Sequence, residues 1–148
     1  MPTLKQNVVV VDDDRSVNQA IKRLLLAGGF TVETFQSAEA LLESDAAENA
    51  GCLVLDVGLP GLSGFELQQR LKERGAERPV IFITAHDLPS SQEQAQKAEA
   101  VAYLPKPFPG LSLMAAVSEA LATPATGSFH QKQKEPLMKS QNGTRVGS

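Results

Sequence analysis

Three adjacent carboxylates, Asp12, Asp13 and Asp14, follow a run of four valines near the start of the chain. Like charges this close raise one another's pKa and destabilise a fold unless positive charge lies among them. A further carboxylate, Asp56, ends the apolar run CLVLD, and one cation, Lys106, ends the run VAYLPK. Clustered carboxylates with one lysine are still short of positive charge, so these residue types predict a site for a hard divalent cation.

The chemistry that suits such a site is phosphoryl transfer to a carboxylate. Mg2+ binds through one or two carboxylates and leaves positions for phosphate oxygens. Lys106 and Thr84, which ends the apolar run PVIFIT, suit the remaining phosphoryl oxygens as a point charge and a hydrogen-bond donor. A carboxylate that faces a metal-held phosphoryl group can form an aspartyl phosphate.

The elements that must position these residues alternate along the chain. Apolar runs predict four strands, over residues 7–11, 52–56, 79–84 and 101–106, and the alternating segment FTVETF predicts another over residues 30–35. Helical spacing of apolar residues predicts a helix after the first strand, ended by Gly28, and another from Leu113 to Leu121. Between these lie the helical segments SAEALLES, FELQQRLKERG and SSQEQAQKAEA.

Polar residues at the starts of these helices are interpreted as caps. Ser37 caps the second helix, and Ser63 or Gly64 opens the third. Asp14 is interpreted as a cap of the first helix rather than as a metal ligand.

Strands without polar alternation predict a parallel sheet covered on both faces by helices. Right-handed crossovers then give an α/β fold with a doubly wound sheet. Ligands of such folds bind outside the carboxyl ends of the strands. The acidic residues, Thr84 and Lys106 would therefore meet at one edge of the sheet.

Four motifs, VVDDD, LVLDVGLPGLSG, FITA and YLPKPF, occur in this order, each at the end of a predicted strand. On these motifs, over about residues 5–122, the chain resembles the receiver domain of bacterial two-component response regulators. The resemblance implies a five-stranded (βα)5 flavodoxin-like topology with strand order 2-1-3-4-5. It also implies a receiver domain over residues 1–123, and the aperiodic polar segment 124–148 is interpreted as a disordered, weakly basic tail or linker.

The resemblance assigns a role to each residue of the site. Asp56 is the implied phosphoacceptor. Asp12 and Asp13, together with Asp56 and the backbone carbonyl of Gly58, would hold Mg2+. Lys106 is the implied cation that assists catalysis.

The resemblance also implies a switch that responds to phosphorylation. The Thr84 hydroxyl would move toward the phosphoryl group, and Tyr103 would turn inward with it. Lys106–Pro107 would be a cis peptide bond. The output surface would consist of the fourth helix, the fifth strand and the fifth helix. From the sequence alone, Tyr103 could also be a packing residue of the last strand, although the functional role is preferred.

Three positions bear on how this chain differs from the family pattern. Glu99 stands where receivers usually have Gly, just before the last strand. Gly58 offers no side chain over the phosphoryl group, which leaves His86 to control dephosphorylation. His86 could also be an ordinary solvated loop residue.

The function implied is a phosphorylation-activated signalling switch rather than an enzyme. Its partners would be a sensor histidine kinase or a histidine phosphotransfer protein, and a downstream protein target or an output domain outside these residues. Whether the protein is a stand-alone receiver, and whether phosphorylation makes it dimerise, stay open. Two alternatives are a phosphorylation-independent interaction module and a metal-dependent phosphatase, although DVGLPG lacks the second acid such phosphatases use.

Composition limits the other partners. Residues 1–123 contain 10 Lys and Arg against 16 Asp and Glu, an acidic balance that does not favour nucleic-acid binding. The sequence has no apolar run long enough to span a membrane and no secretory signal. A single cysteine, Cys52, fits a reducing compartment, so a cytoplasmic protein is expected.

Overall fold

The computed structural model describes residues 7–122, so the predicted tail at 124–148 lies outside the described residues. Five strands are present: β1 (Asn7–Val11), β2 (Thr31–Phe35), β3 (Cys52–Asp56), β4 (Val80–Thr84) and β5 (Ala102–Pro105). The α-helices are α1 (Arg15–Ala27), α2 (Ala38–Leu42), α3 (Gly64–Glu73), α4 (Pro89–Lys97) and α5 (Gly110–Ala122). A short 3-10 helix at Ala47–Asn49, which has no periodicity to reveal it, was not predicted.

The strands form one sheet with the order β2-β1-β3-β4-β5, and every neighbouring pair is parallel. This confirms the predicted class and strand order. The winding direction switches between β1 and β3, where open parallel sheets bind ligands. In the register, Asp56 pairs with Ile83 and Thr84 pairs with Pro105. The carboxyl ends of these strands therefore lie at a common edge.

The central strands are buried on both faces, which explains their lack of polar alternation. All residues of β3 and β4 are buried, as are four of the five in β1. Alternate residues of each strand pack on opposite faces of the sheet and form two separate core layers. One layer lies under α2, α3 and α4, and the other lies under α1 and α5.

The predicted caps are present at three helices. The Asp14 carboxylate accepts from the backbone N–H of Ser16 at 2.9 Å and caps α1. Ser37 caps α2 in the same way. Ser63 and Glu66 cap α3 reciprocally, with bonds of 3.1 and 2.9 Å. These three helices thus start where the side-chain chemistry predicts.

The end of α4 differs from the prediction. The alanine-rich segment 90–100 was expected to be helical throughout, but α4 ends at Lys97. Glu99 has a φ of 57°, in the left-handed region that breaks a right-handed helix. This is the position where the family usually has Gly, so the backbone keeps the path that glycine takes easily.

None of the helices formed by residues 7–122 combines the length and apolar character needed to cross a lipid bilayer.

Candidate functional site

An acidic pocket, formed by Asp12, Asp13 and Asp56, lies at the carboxyl edge of the sheet. One carboxylate oxygen from each residue lies within 4.8 Å of those of the other two. Asp12 and Asp56 are buried, while Asp13 is exposed. The structure thus brings together the three carboxylates that the sequence singled out, although Asp12 and Asp56 are 44 positions apart in the chain.

Asp12 is held at each of its polar atoms. Its backbone N–H donates to the carbonyl of Phe35 at 3.1 Å, and its own carbonyl accepts from the side chain of Asn18 at 2.8 Å. One carboxylate oxygen accepts from the N–H of Asp14 at 2.9 Å, and the other accepts from Lys106 at 2.7 Å. The buried carboxylate is therefore fixed in place from four directions.

Lys106 supplies the positive charge in the pocket. Its Nζ lies 2.7 Å from Asp12 Oδ2 and 3.6 Å from Asp56 Oδ2. Burial acts to lower the pKa of this lysine, but the hydrogen bond and charge of Asp12, together with Asp56, outweigh it and raise the pKa. The side chain therefore stays protonated and bridges two of the three acids.

Asp56 lies in a less favourable environment for a carboxylate. Burial raises its pKa, and the negative charge of Asp12 raises it further. A hydrogen bond from the N–H of Gly58, at 3.1 Å, and the charge of Lys106 act in the opposite direction but do not cancel the rise. The pocket is therefore short of positive charge, as the sequence indicated.

The donor set fits a hard divalent cation. Carboxylate oxygens are the ligands that Mg2+ prefers, and one exposed acid among two buried ones leaves an open side toward solvent. Asp14 is not part of this group, because its carboxylate caps α1. The backbone N–H of Gly58 reaches Asp56, and its carbonyl stays a predicted ligand.

Thr84 ends β4 beside the pocket, and its side chain is buried. The hydroxyl donates to the carbonyl of His86 at 3.1 Å and accepts from the N–H of the same residue at 3.0 Å. Both bonds run to the β4–α4 loop, defined here as residues 85–88. The Thr84 hydroxyl is therefore held by the backbone of an exposed loop rather than by residues of the core.

Tyr103 on β5 contacts the same loop. Its hydroxyl donates to Asp87 Oδ1 at 3.0 Å, and Asp87 also accepts from the side chain of Gln92 at 2.8 Å. Burial raises the pKa of Tyr103, and Asp87 adds to the rise. The Lys106–Pro107 peptide bond that follows β5 is cis, as the resemblance implies.

Sequence reasoning missed two residues of this site, Asn18 and Asp87. Asn18 lies three residues before Ile21 on α1, so a polar residue at helical spacing from the apolar stripe was the available signal. Asp87 gave no signal, since an acid in a polar loop is ordinary.

Comparison with known proteins agrees with this geometry. Residues 8–118 match the response regulator receiver domain family. The chain belongs to this family. Receiver domains typically bind Mg2+ at an acidic pocket and interact with histidine kinases and output domains, and in this chain Asp12, Asp13 and Asp56 form an acidic cluster.

Individual relatives give the same result. The transcriptional regulatory protein TdiR of Thauera aromatica is 39% identical over 128 residues, which are 86% of this chain and 56% of TdiR. The structure of the response regulator StyR superposes with a TM-score of 0.72 at 47% identity, covering 79% of this chain and 59% of StyR. A BeF3-activated DrrB receiver domain superposes with a TM-score of 0.71 at 32% identity, covering 80% of this chain and 98% of that receiver domain. The chain thus spans little more than half the length of TdiR and StyR.

Proposed function

We propose that the protein is a phosphorylation-activated signalling switch with Asp56 as the phosphoacceptor. The donor is a phosphohistidine on a sensor histidine kinase or on a histidine phosphotransfer protein. The observation that carries this proposal is the convergence of Asp12, Asp13, Asp56 and Lys106 at one edge of the sheet.

Phosphoryl transfer forms one bond and breaks one. A carboxylate oxygen of Asp56 attacks the phosphorus atom, and the bond from phosphorus to the imidazole nitrogen of the donor breaks. The nitrogen keeps the electron pair, and a proton carried by the other ring nitrogen of the donor lets the histidine leave as neutral imidazole, while Asp56 becomes an acyl phosphate. Burial of Asp56 favours this reaction. It removes water from the attacking carboxylate, whose negative charge is already unfavourable in the pocket, as its raised pKa indicates.

The remaining residues stabilise the transferring group. Mg2+, held by Asp12, Asp13 and Asp56 with the predicted Gly58 carbonyl, would neutralise charge on the phosphoryl oxygens. Lys106 already lies 3.6 Å from Asp56, close enough to donate to a phosphoryl oxygen. Thr84 would donate its hydroxyl to another oxygen after releasing the carbonyl of His86.

The release of Thr84 is the step that connects chemistry to the surface. Thr84 and Tyr103 are both bonded to the β4–α4 loop, at His86 and Asp87 respectively. When Thr84 leaves His86, the loop that carries Asp87 shifts and Tyr103 turns inward. The changed surface consists of α4, β5 and α5, and a partner reads it.

Membership of the response regulator receiver family supports further proposals about the role, location and output of the protein. The protein acts as a switch and not as an enzyme that turns over substrate, and it acts in the cytoplasm of a bacterium. Because TdiR is a transcriptional regulatory protein, the output we propose is control of transcription. That output runs through a further domain or a separate protein, and phosphorylation-dependent dimerisation on the α4, β5 and α5 surface is a second route.

The alternative of a phosphorylation-independent module rested on Glu99. The φ of 57° at Glu99 weakens this alternative, because the residue follows the backbone path that the usual Gly would take. No specific observation favours the module over the switch.

The test is incubation with Mg2+ and acetyl phosphate followed by measurement of the intact mass. We expect a gain of one phosphoryl group that requires Mg2+ and is absent in Asp56→Asn. A matched control is Asp45→Asn, which removes an exposed carboxylate outside the pocket and should still gain the group. Absence of the gain, both with acetyl phosphate and with phosphorylated kinases, would overturn the proposal.

A further inference from the structure

Asn18 is a buried polar residue that the proposed chemistry does not use. It lies on α1 with 3% of its surface exposed. Its side-chain amide donates to the carbonyl of Asp12 at 2.8 Å and to the carbonyl of Phe35 at 3.1 Å. Both neighbours are carbonyl oxygens, which can only accept, so the amide nitrogen and not the oxygen must face them.

We infer that Asn18 is a positioning residue that holds Asp12 in the geometry for Mg2+ binding. It touches none of the reacting atoms and acts through Asp12 alone. The inference rests on the proposed function, since it assumes that the acidic pocket binds Mg2+.

The hydrogen bonds around Asn18 form a closed circuit. The N–H of Asp12 donates to the carbonyl of Phe35, and Asn18 donates to that carbonyl and to the carbonyl of Asp12. The end of β1 is thereby tied to the end of β2 and to α1 together. The backbone of Asp12 is held on both sides of its Cα atom, so its carboxylate can point in few directions.

This restraint matters because Lys106 competes for the Asp12 carboxylate. Lys106 pulls on Oδ2 from 2.7 Å, on the side of the pocket where Asp56 also lies. The Asp12 backbone must resist that pull for the carboxylate to stay in reach of an ion shared with Asp13 and Asp56. Ligand carboxylates depend in this way on the groups that hold them, and loss of such a group weakens metal binding.

The chemistry at this position favours asparagine. The side-chain nitrogen of Asn18 donates to two carbonyls, and its oxygen accepts from no group of residues 7–122. A leucine would add apolar burial beside Ile21 and Leu25 on α1 but would donate to neither carbonyl. An aspartate would place a third acceptor against two carbonyls, so asparagine is the residue of this size that supplies both donors.

The test is a Mg2+ titration of isotope-labelled protein, followed by NMR at the Gly58 amide. Asn18→Leu preserves size and removes the donors, and we expect it to raise the Kd for Mg2+ about tenfold. The control is Ile21→Val, one turn further along α1, which removes a buried methylene without touching the bonds of Asp12. It should lower the Tm and leave the Kd unchanged. Asn18→Ser, with a hydroxyl too short to reach both carbonyls, keeps the test available should Asn18→Leu fail to fold.

A second measurement needs no metal. Without Mg2+, the N–H of Asp14, bonded to the Asp12 carboxylate, should exchange with solvent faster in both Asn18 variants than in Ile21→Val. If the Asn18 variants lose stability but keep the wild-type Kd and exchange rate, Asn18 is merely structural and the inference is overturned. If wild-type protein binds no Mg2+, the proposed function fails, and the inference fails with it.

Discussion

The acidic pocket and the switch pair, Thr84 and Tyr103, lie at the same edge of the sheet but are held by different parts of the molecule. Asp12 is fully buried and is bonded to β2, α1 and Lys106. Thr84 and Tyr103 are instead bonded to His86 and Asp87, which are exposed residues of the β4–α4 loop.

The supporting elements show the same contrast. The buried residues of α1 include Ile21 and Leu25, whereas those of α4 are the small Ser91 and Ala95. All of β3 is buried, whereas no residue of β5 is fully so. Segments with few buried apolar contacts open at low free energy. The fold thus holds the acidic pocket firmly and holds less firmly the surface that changes in the proposed function.

The largest effect should come from Lys106→Met, which removes the positive charge from the fixed region. We expect phosphoryl acceptance from acetyl phosphate to slow at least about 100-fold, because a preorganised electrostatic contact is lost. The protein should also lose about 3 kcal/mol of unfolding free energy, because Asp12 stays buried without its partner.

Lys97→Met is the matched control for that change. Lys97 pairs with Glu93 at 3.9 Å on the exposed side of α4, where an ion pair contributes at most about 1 kcal/mol. Equal losses in the two variants, measured by denaturant unfolding, would contradict the idea that the pocket is the rigid region.

The second prediction concerns the pH dependence of the pocket. The pKa of Asp56 is raised above its ordinary 3.8, chiefly by burial, so the native state binds its proton more tightly than the unfolded chain. The contribution of this group to stability therefore falls as pH rises from 3.8 through the raised pKa. Asp56→Asn should melt above the wild type at neutral pH, and the gap should close as pH falls below that window.

Thermal scans across that pH range check the prediction. Asp45→Asn removes an exposed carboxylate and controls for the loss of one charge. If Asp56→Asn melted at or below the wild-type temperature at neutral pH, the ionised Asp56 carboxylate would not destabilise the native state.

A smaller effect should follow from Glu99→Gly, in the turn between α4 and β5. A left-handed conformation costs a non-glycine residue roughly 1–2 kcal/mol, and the extra freedom of glycine in the unfolded chain offsets part of the gain. We expect a net stabilisation of about 0.5–1 kcal/mol by denaturant unfolding. Glu99→Gln removes the charge but keeps the strain, so a similar gain in that variant would assign the effect to charge.

The smallest effect should come from Asp87→Ala, which cuts the bond between the loop and Tyr103. The pKa of Tyr103 should fall toward its usual value but stay above it, because burial is the larger cause of the rise. The chain has one tyrosine and no tryptophan, so absorbance titration reports this group without interference. Stability should fall by no more than about 1 kcal/mol.

Glu93→Gln removes a carboxylate from α4 that pairs with Lys97, and it should leave the Tyr103 titration unchanged. The Mg2+ affinity of Asp87→Ala should equal that of the wild type. A loss of affinity would show that the two regions are coupled before any phosphorylation.

Much of the acidic pocket could be predicted from the sequence, because the patterns that indicate its residues are local. Apolar runs located the strands, and the residue after or at the end of each run located Asp12, Asp56, Thr84 and Lys106. Parallel topology alone then placed these residues at one edge. Caps such as Ser63 were equally predictable, since the capping chemistry is contained within four residues.

The rest depends on distances that no local pattern contains. The bond from Asn18 to Phe35 joins residues 17 positions apart and requires the angle at which α1 crosses the sheet. The bond from Tyr103 to Asp87 depends on a side-chain rotamer and on the path of a loop. The early end of α4 depends on the backbone of Glu99, although its neighbouring alanines favour a helix.

The short β5 also bears on whether strands of two molecules could pair edge to edge. Within residues 7–122 this strand pairs with β4 alone, so its other side is an open edge on which a strand of a second molecule could add. It spans four residues, ends at the exposed Pro105, and is followed by Lys106 and Pro107. Proline offers no N–H to an incoming strand and a charge opposes its approach, so an edge that is loosely held still makes a poor template for aggregation.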